Sequence, residues 1–522
     1  MNYLDYSIIA FYFVVMLWMG FKLRNQTDSG NYFLGGKTFG WFSLCMSAMA
    51  SQLSVISFVS APAFVGLREG GGMKWLTFEF GVPVAMIVVM TFIGPALYKS
   101  GVVSIYSFLE KRFNTTTRLL LSSVFMFSRS FAAGVTIYAV SLILSSLLHI
   151  SFTTTVLLVG LSTVLYSLEG GMKAVVYSEV LQMIIKVTGI IIIIFYGLKN
   201  IGGWDNFVAN VDNSRLQVID FSNFGFDGGE YGFWPMLIGG IFLYTSYYGT
   251  DQMQAQRILS AKDLPTVRNV LLFNGLLRFP ITFMYCLGGL IVGTFVALDA
   301  DFMQMIPTGK SDLMIPLFIE NYLPNGIIGV LVVAIIAAAM SAFSSTLNSL
   351  SAVTMEEIVS KKMELTDKKY VRTSKIVALG WGVLTLILAF FVGDIAKTVI
   401  EAINKIGSVF YGPLLATFLA AILLPRINGR GINIGLVAGV LVNAYLWLFV
   451  PDVFWFWWNA IGAAVTLTVG SIASVFAKDD KKSEIASEGK KAWEYYPKSI
   501  LILLAFFTLI LLFCLFLPTF FS

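Results

Sequence analysis

The stretch SQLSVIS at residues 51–57, followed by Pro62, interrupts an otherwise apolar segment at 40–65. A second apolar segment, 233–256, contains a glycine pair and then the polar stretch YTSYYG at 244–249. A membrane helix interrupted in this way leaves backbone groups unpaired unless they line a cavity inside the protein. Both segments are therefore candidates for broken helices at a binding site near the middle of the membrane. Ordinary kinks, with serine hydroxyls bonded back to the helix, are the alternative.

Apolar segments fill nearly the whole chain of 522 residues, of which 57% are hydrophobic and 12% charged, with a mean hydropathy of +0.80. A helix needs about 20 apolar residues to cross the hydrocarbon, so the chain has room for many crossings and none for a soluble domain. Only helices and closed barrels cross lipid, and these segments lack the alternation of strands. We predict an all-α polytopic membrane protein with about fourteen transmembrane helices. They lie near residues 4–24, 40–65, 75–98, 118–148, 152–167, 178–197, 233–256, 269–296, 325–358, 373–392, 395–424, 432–451, 453–476 and 499–519.

Positive charge is divided unevenly between the loops. When the connections are numbered alternately, one set carries 25 of the 35 lysines and arginines. Cytoplasmic loops carry such an excess, so we predict that both termini lie outside. The net charge of +5 is then a signal of topology, and no nucleic-acid partner is indicated.

A third segment, AAAMSAFSSTLNS at 337–349, is dense in small residues. Such a run allows close packing of helices, which is one interpretation. The other is a sodium site, because sodium is a hard cation that takes oxygen ligands from hydroxyls and free carbonyls. Ser341, Ser344 and Ser345 fall on one helical face, which thus offers three hydroxyls.

Five signatures in order resemble the sodium/solute symporter family, whose members carry sugars, proline, sialic acid, iodide and monocarboxylates with sodium. They are NYFLGGK at 31–37, FLEKRFN at 108–114, GGMKAVV at 170–176, Asp251-Gln252 with Gln256-Arg257, and LNS at 347–349. The resemblance covers most of the chain and implies the LeuT-like inverted repeat of five plus five helices. It implies one membrane domain with an extra N-terminal helix at 1–30, a repeat core at 38–424 and accessory helices at 425–522.

The resemblance also implies a sodium site. Its ligands would be the carbonyls of Ala50, Leu53 and Ala338 and the hydroxyl of Ser341. The family usually has a second hydroxyl residue next, whereas this chain has Ala342. Either water fills that place or the site is weakened.

A second sodium, held in some sialic-acid carriers, would use Ser341, Ser344, Ser345 and Glu179, where the family has aspartate. Lys186 shares a helix face with Glu179 at a distance of about 10 Å along the axis, too far for a direct pair. Each charge therefore needs another partner. Glu179 is assigned to the sodium pathway or to a structural ion pair, and Lys186 beside a depleted site raises the alternative of proton coupling.

Substrate ligands are inferred from matching positions on the core helices. Glu79 and Arg278 match sugar-binding positions of a bacterial carrier, whereas Arg129 lies one turn from a carboxylate-binding position. The candidate substrate ligands are Gln52, Ser54, Ser57, Glu79, Arg129, Tyr244, Tyr247, Tyr248, Arg278 and Asn404. Glu79 suits hydroxyls and a guanidinium suits a carboxylate.

The function predicted is sodium-coupled symport of a sugar or a sugar acid such as sialic acid, by alternating access, in the cell membrane. Partners are one or two transported sodium ions, a small polar solute and the lipid bilayer, with no obligate protein partner indicated. Alternatives are a proton-coupled or sodium-independent carrier, or a carrier of monocarboxylates, amino acids or anions. A channel would need polar residues along a continuous pore. An enzyme would need a catalytic cluster, which one histidine and three scattered cysteines do not supply.

Overall fold

The computed structural model describes residues 1–391, 399–477 and 493–521. The helices are α1 (Tyr3–Lys22), α2 (Ser29–Leu34), α3 (Trp41–Gln52), α4 (Ala61–Gly66), α5 (Gly81–Val88), α6 (Gly94–Ser100), α7 (Ile105–Arg112), α8 (Thr115–Leu148), α9 (Phe152–Ile201), α10 (Trp204–Asn210), α11 (Phe233–Thr250), α12 (Gln252–Leu259), α13 (Leu264–Leu298), α14 (Ala300–Met305), α15 (Met314–Tyr322), α16 (Ile327–Thr354), α17 (Ser360–Lys362), α18 (Asp367–Phe391), α19 (Val399–Leu423), α20 (Gly429–Phe449), α21 (Phe456–Phe476) and α22 (Pro497–Phe516). Shorter 3-10 or π-helical stretches are Gly35–Lys37, Ile56–Ser60, Met73–Phe80, Val89–Ile93, Asn213–Arg215, Ser311–Leu313, Met355–Val359 and Leu517–Phe520. In the described part of the chain, extended pairing is limited to an isolated bridge between Phe39 and Ala261.

The protein is an all-helical, multi-pass membrane protein, as the composition predicts. Eleven described helical stretches are long and apolar enough to cross a membrane, and the bent pair α3 and α4 would be a twelfth. The 50 residues of α9 are interrupted at Gly171, where φ is 54°, between two segments that the sequence treats as separate crossings. Helix α11 is not one of these eleven, because polar residues that include three tyrosines lower its mean hydropathy. Fourteen crossings and outside termini stay predictions.

The first interrupted segment is broken where the polar stretch begins. Helix α3 ends at Gln52, and Leu53 leaves the helical region with ψ of 75°. A π-helical turn and α4 follow, and the chain bends by 72° across the break. Ser51 donates to the Ser47 carbonyl at 3.0 Å, so a serine bonded back to the helix accompanies the break. The break leaves the carbonyls of the last turn of α3 available to other groups.

The second interrupted segment breaks later than its polar stretch. The tyrosines remain helical in α11, and the break comes at Asp251, which is extended with φ of −98° and ψ of 125°. The Asp251 carboxylate accepts a hydrogen bond from the Met253 amide at 2.8 Å and so caps α12. An aspartate at this position satisfies an amide that the new helix would otherwise leave unpaired.

Helix α16 runs through the middle of the protein and packs against α1, α3, α8 and α9. Its small residues permit close approach: a Cβ on Gly189 of α9 would lie 3.1 Å from the Ala334 Cβ. The N-terminus of α16 is tied to α1, because Asp5 accepts the amides of Gly326 and Gly329 at 2.7 and 2.8 Å. This packing positions the serine face of α16 against the end of α3 and the middle of α9.

Candidate functional site

A cavity of about 190 Å³ lies between the two helix breaks. Its polar lining is Ser51, Gln52, Ser54, Ser57, Arg129, Thr136, Tyr244, Tyr247, Arg278, Tyr285, Thr346 and Tyr411. Its apolar lining includes Trp75, Phe78, Phe343, Trp455 and Phe456. Among the described residues, two arginines and no carboxylate border this space. The cavity has the mixture of aromatic walls and a few convergent polar groups that small-molecule sites show.

Arg129 lies at the second break. Its guanidinium pairs with the Asp251 carboxylate and donates to the Tyr411 hydroxyl at 3.1 Å. It also lies over the rings of Tyr247 and Tyr411, at 5.5 and 5.8 Å from their centroids. Arg129 thus borders the cavity, although by the resemblance it lies one turn from the carboxylate-binding position of the sialic-acid carriers.

Arg278 pairs with Glu79, and both side chains are buried. Arg278 Nη2 and Nε lie 3.0 and 3.1 Å from Glu79 Oε1, and Thr282 donates to the same oxygen at 2.9 Å. Arg278 lines the cavity, whereas Glu79 is not part of its lining. The two matched sugar-binding residues therefore engage each other, and the arginine is the one that borders the cavity.

The remaining predicted substrate residues cluster around the same space. Ser54 and Ser57 line the cavity, and the Tyr244 ring stacks on Phe78 with centroids 5.7 Å apart. Tyr248 donates to the Gln52 side chain. The Tyr247 hydroxyl accepts from Gln254 at 3.1 Å. The side chain of Asn404 lies outside the described residues.

The predicted sodium ligands converge, and the ammonium of Lys186 lies among them. Lys186 Nζ donates to the Ala50 carbonyl at 2.6 Å, the Leu53 carbonyl at 3.0 Å and Ser341 Oγ at 3.1 Å. The Ser341 hydroxyl is within hydrogen-bond distance of the Ala50 and Ala338 carbonyls, at 3.0 and 3.1 Å. Three of the four expected ligands therefore contact a cation that belongs to the protein, and the fourth, the Ala338 carbonyl, is linked to it through the Ser341 hydroxyl.

Glu179, the acidic residue of the second predicted sodium site, is also engaged by other side chains of the protein. Glu179 pairs with Arg257 of α12, whose Nη2 lies 2.7 and 2.9 Å from the two carboxylate oxygens. Ser47 and Ser345 both donate to Glu179. Of the two interpretations of Glu179, the structural ion pair describes these contacts. Ser344 instead donates to the Ser341 carbonyl at 3.2 Å.

Several residues of the site escaped the sequence-based selection. Asp251 and Arg257 belong to the motifs quoted for the resemblance, but their charges were not assigned partners. Asp251 was recognisable as a helix cap, because it precedes a short amphipathic run after a polar stretch. Tyr411 and Trp455 carried no local signal, since only packing of α19 and α21 against α11 brings them to the cavity.

Comparison with known proteins agrees with this architecture. The profile described as "Sodium:solute symporter family" matches residues 32–439, which is most of the chain. The chain belongs to the sodium:solute symporter family. This membership makes it a transporter, and the family is not one of enzymes.

Relatives within the family are distant but extensive. The chain is 26% identical to the human (Homo sapiens) sodium/iodide cotransporter, over 85% of this chain and 69% of that protein. It is 27% identical to the mouse (Mus musculus) sodium-coupled monocarboxylate transporter 2, over 85% of this chain and 72% of that protein. A sodium-coupled sialic acid symporter in a substrate-bound outward-open state superposes with a TM-score of 0.83 at 21% identity, covering 92% of this chain and 99% of that one. The fold is thus LeuT-like, as the resemblance predicts.

Proposed function

We propose that this protein is a secondary active transporter that carries a small organic acid across a membrane by alternating access. The observation that carries the proposal is the central cavity, which two arginines and no described carboxylate border. A guanidinium presents several N–H donors in one plane and binds carboxylates through paired hydrogen bonds. The class includes sugar acids as well as simpler monocarboxylates.

Each arginine retains hydrogen-bonding capacity despite its internal partner. Glu79 engages Nε and Nη2 of Arg278, and a guanidinium has five N–H donors in total. The internal carboxylate offsets the burial of the arginine while the cavity is empty of solute. A ligand carboxylate can then accept a charge-assisted hydrogen bond from an arginine whose burial is already offset by its internal partner.

The names of the relatives support an anionic substrate. Iodide and monocarboxylates are anions, and the structural neighbour carries sialic acid. A neutral sugar, favoured by Glu79 in the sequence, is a weaker candidate because Glu79 is held by Arg278 and Thr282 and does not border the cavity.

Family membership supports sodium as the co-transported ion. A monovalent cation crossing 100 mV supplies about 2.3 kcal/mol, and a tenfold gradient adds about 1.4 kcal/mol. Two helices broken at mid-length provide the hinges that alternating access needs, because few helical hydrogen bonds are lost when each half moves.

The test is ligand-induced thermal stabilisation of the purified protein with matched pairs of compounds. Each pair contrasts a carboxylate with its uncharged analogue: lactate with lactamide, gluconate with glucose, and sialic acid with its methyl ester. We expect stabilisation by acids and not by their analogues. Equal stabilisation by both members of every pair would contradict the organic-acid assignment.

Variants then assign the effect to the cavity. Arg278→Gln should weaken binding of the stabilising acid by one to two decades, since a hydrogen bond to a charged group contributes about 1.5–3 kcal/mol. Arg112→Gln is the control, because Arg112 is also a buried arginine but donates to the carbonyls of Ala421, Leu424 and Ile427, away from the cavity. Binding in this control should match the wild type.

A further inference from the structure

The ammonium of Lys186 has every donor satisfied inside the protein. It carries three N–H groups, and it meets three oxygens within 3.1 Å: two carbonyls at the end of α3 and one hydroxyl of α16. The Lys186 side chain is fully buried. Three oxygens thus surround the Lys186 ammonium as ligands would surround a small cation, and the cation in this case belongs to a side chain of α9.

No carboxylate in the described part of the chain forms an ion pair with Lys186. The nearest acid on its own helix, Glu179, is taken by Arg257, Ser47 and Ser345. Helices α3 and α16 contain no aspartate, glutamate, lysine or arginine. The positive charge is therefore stabilised by carbonyl dipoles, and it lies at the negative, C-terminal end of α3, where a cation is favoured.

The same oxygens are those that a hard cation such as sodium would use. One cation excludes another from this space, because the carbonyls of Ala50 and Leu53 already accept from Nζ. Ala342, which follows Ser341, has no hydroxyl and therefore offers no further side-chain ligand to a free sodium ion. The missing hydroxyl at Ala342 and the ammonium of Lys186 thus both indicate that a free sodium ion does not bind at this position.

We propose that Lys186 is a built-in cation that takes the place of sodium at the site formed by Ala50, Leu53, Ala338 and Ser341. Its side chain joins the end of α3 to α16, as a bound ion would join them. The inference rests on the proposed transport function and refines it: the transport cycle uses no sodium at this position, and any sodium that is coupled binds elsewhere.

Sodium itself is the probe, and the readout is thermal unfolding of the purified full-length protein without solute. The wild type in sodium chloride is compared with the wild type in N-methylglucamine chloride at equal concentration. We expect no difference that depends on Ser341. A sodium-induced rise of the wild-type midpoint that Ser341→Ala abolishes would overturn the proposal, whereas a rise that survives Ser341→Ala would place sodium at another site and support it.

Removing the ammonium should open the site to sodium. Lys186→Ala should lower the unfolding midpoint, and sodium should restore it by a few degrees through mass action, whereas N-methylglucamine should not. The double variant Lys186→Ala with Ala342→Ser should need severalfold less sodium, because one more oxygen ligand is then available. Lys199→Ala, at an exposed position of the same helix, is the control and should respond to sodium as the wild type does. Lack of a sodium response in both Lys186 variants would contradict the proposal.

If Lys186→Ala does not fold, radioactive sodium binding to the wild type decides the matter. We expect no bound sodium that Ser341→Ala removes, and one such ion per protein would refute the inference. Because no solute enters these measurements, failure of the organic-acid assignment would leave their outcome unchanged.

Discussion

The two helix breaks at the centre of the protein recruit charges in opposite ways. At the first, the carbonyl end of α3 is met by the ammonium of Lys186. At the second, the amide end of α12 is met by the carboxylate of Asp251, which in turn pairs with Arg129. A broken helix exposes a negative end and a positive end, and the adjacent charge has the opposite sign in each case. The comparison teaches that the polarity of the exposed helix end selects the charged side chain that completes it.

The largest expected effect is at the second break. Asp251→Ala removes both the cap of α12 and the buried carboxylate that pairs with partly buried Arg129, so we expect a loss of about 3–5 kcal/mol in the free energy of unfolding. Asp263→Ala is the control, because Asp263 also caps a helix, through the Thr266 amide, without an arginine pair in the described structure. Its loss should be about 0.5–2 kcal/mol. Unfolding titrations in detergent measure both, and equal losses would show that the Arg129 pair adds nothing.

A smaller effect is expected at the first break. Ser341→Ala removes one of three acceptors from a buried ammonium, and hydrogen bonds to charged groups contribute about 1.5–3 kcal/mol. Ser344→Ala, one turn along the same face, removes a hydroxyl that donates to the Ser341 carbonyl and should cost about 1 kcal/mol. The same unfolding titration compares the two. If Ser344→Ala were the more damaging variant, Lys186 would not depend on the Ser341 hydroxyl.

The smallest effect is expected for Ala342→Ser in the otherwise unchanged protein. On the sequence alone, restoring the missing hydroxyl should strengthen sodium binding. With the Lys186 ammonium already satisfied by three oxygens, the added hydroxyl has no ion to bind and should leave the sodium response unchanged. Sodium titrations monitored by thermal unfolding test this, and a clear gain in sodium affinity would show that the ammonium does not hold the site.

The fold follows from the sequence because its signals are local. Apolar length predicts the helices, and the polar stretch at 51–57 predicts the first break. The sequence predicts the second break only to within segment 233–256, and the structure places it at Asp251, just after the tyrosine stretch. Polar content alone does not place a break, because tyrosines remain helical where a protein cavity surrounds them; the capping aspartate is the local signal that does.

The site was predicted less completely, because charge partners come from distant elements. Helical spacing excluded a pair between Glu179 and Lys186, and the structure agrees. The actual partners are 78 residues away for Glu179 and 133 to 155 residues away for Lys186. Which distant group fills a set of oxygen ligands depends on the packing of α9 against α3 and α16, and no periodicity in the chain encodes that packing.

If Lys186 replaces sodium as proposed, its covalent attachment to α9 also changes how much charge each transport cycle moves across the membrane. A free ion at this position would be released on the far side of the membrane, and the carrier would return without its charge. An ammonium covalently attached to α9 stays with the protein through both halves of the cycle, so over a complete cycle it moves no net charge across the membrane. Each transported solute molecule is then accompanied by one positive charge fewer than in a carrier that uses a free sodium ion at this position. At a potential of 100 mV this changes the driving force by about 2.3 kcal/mol per cycle.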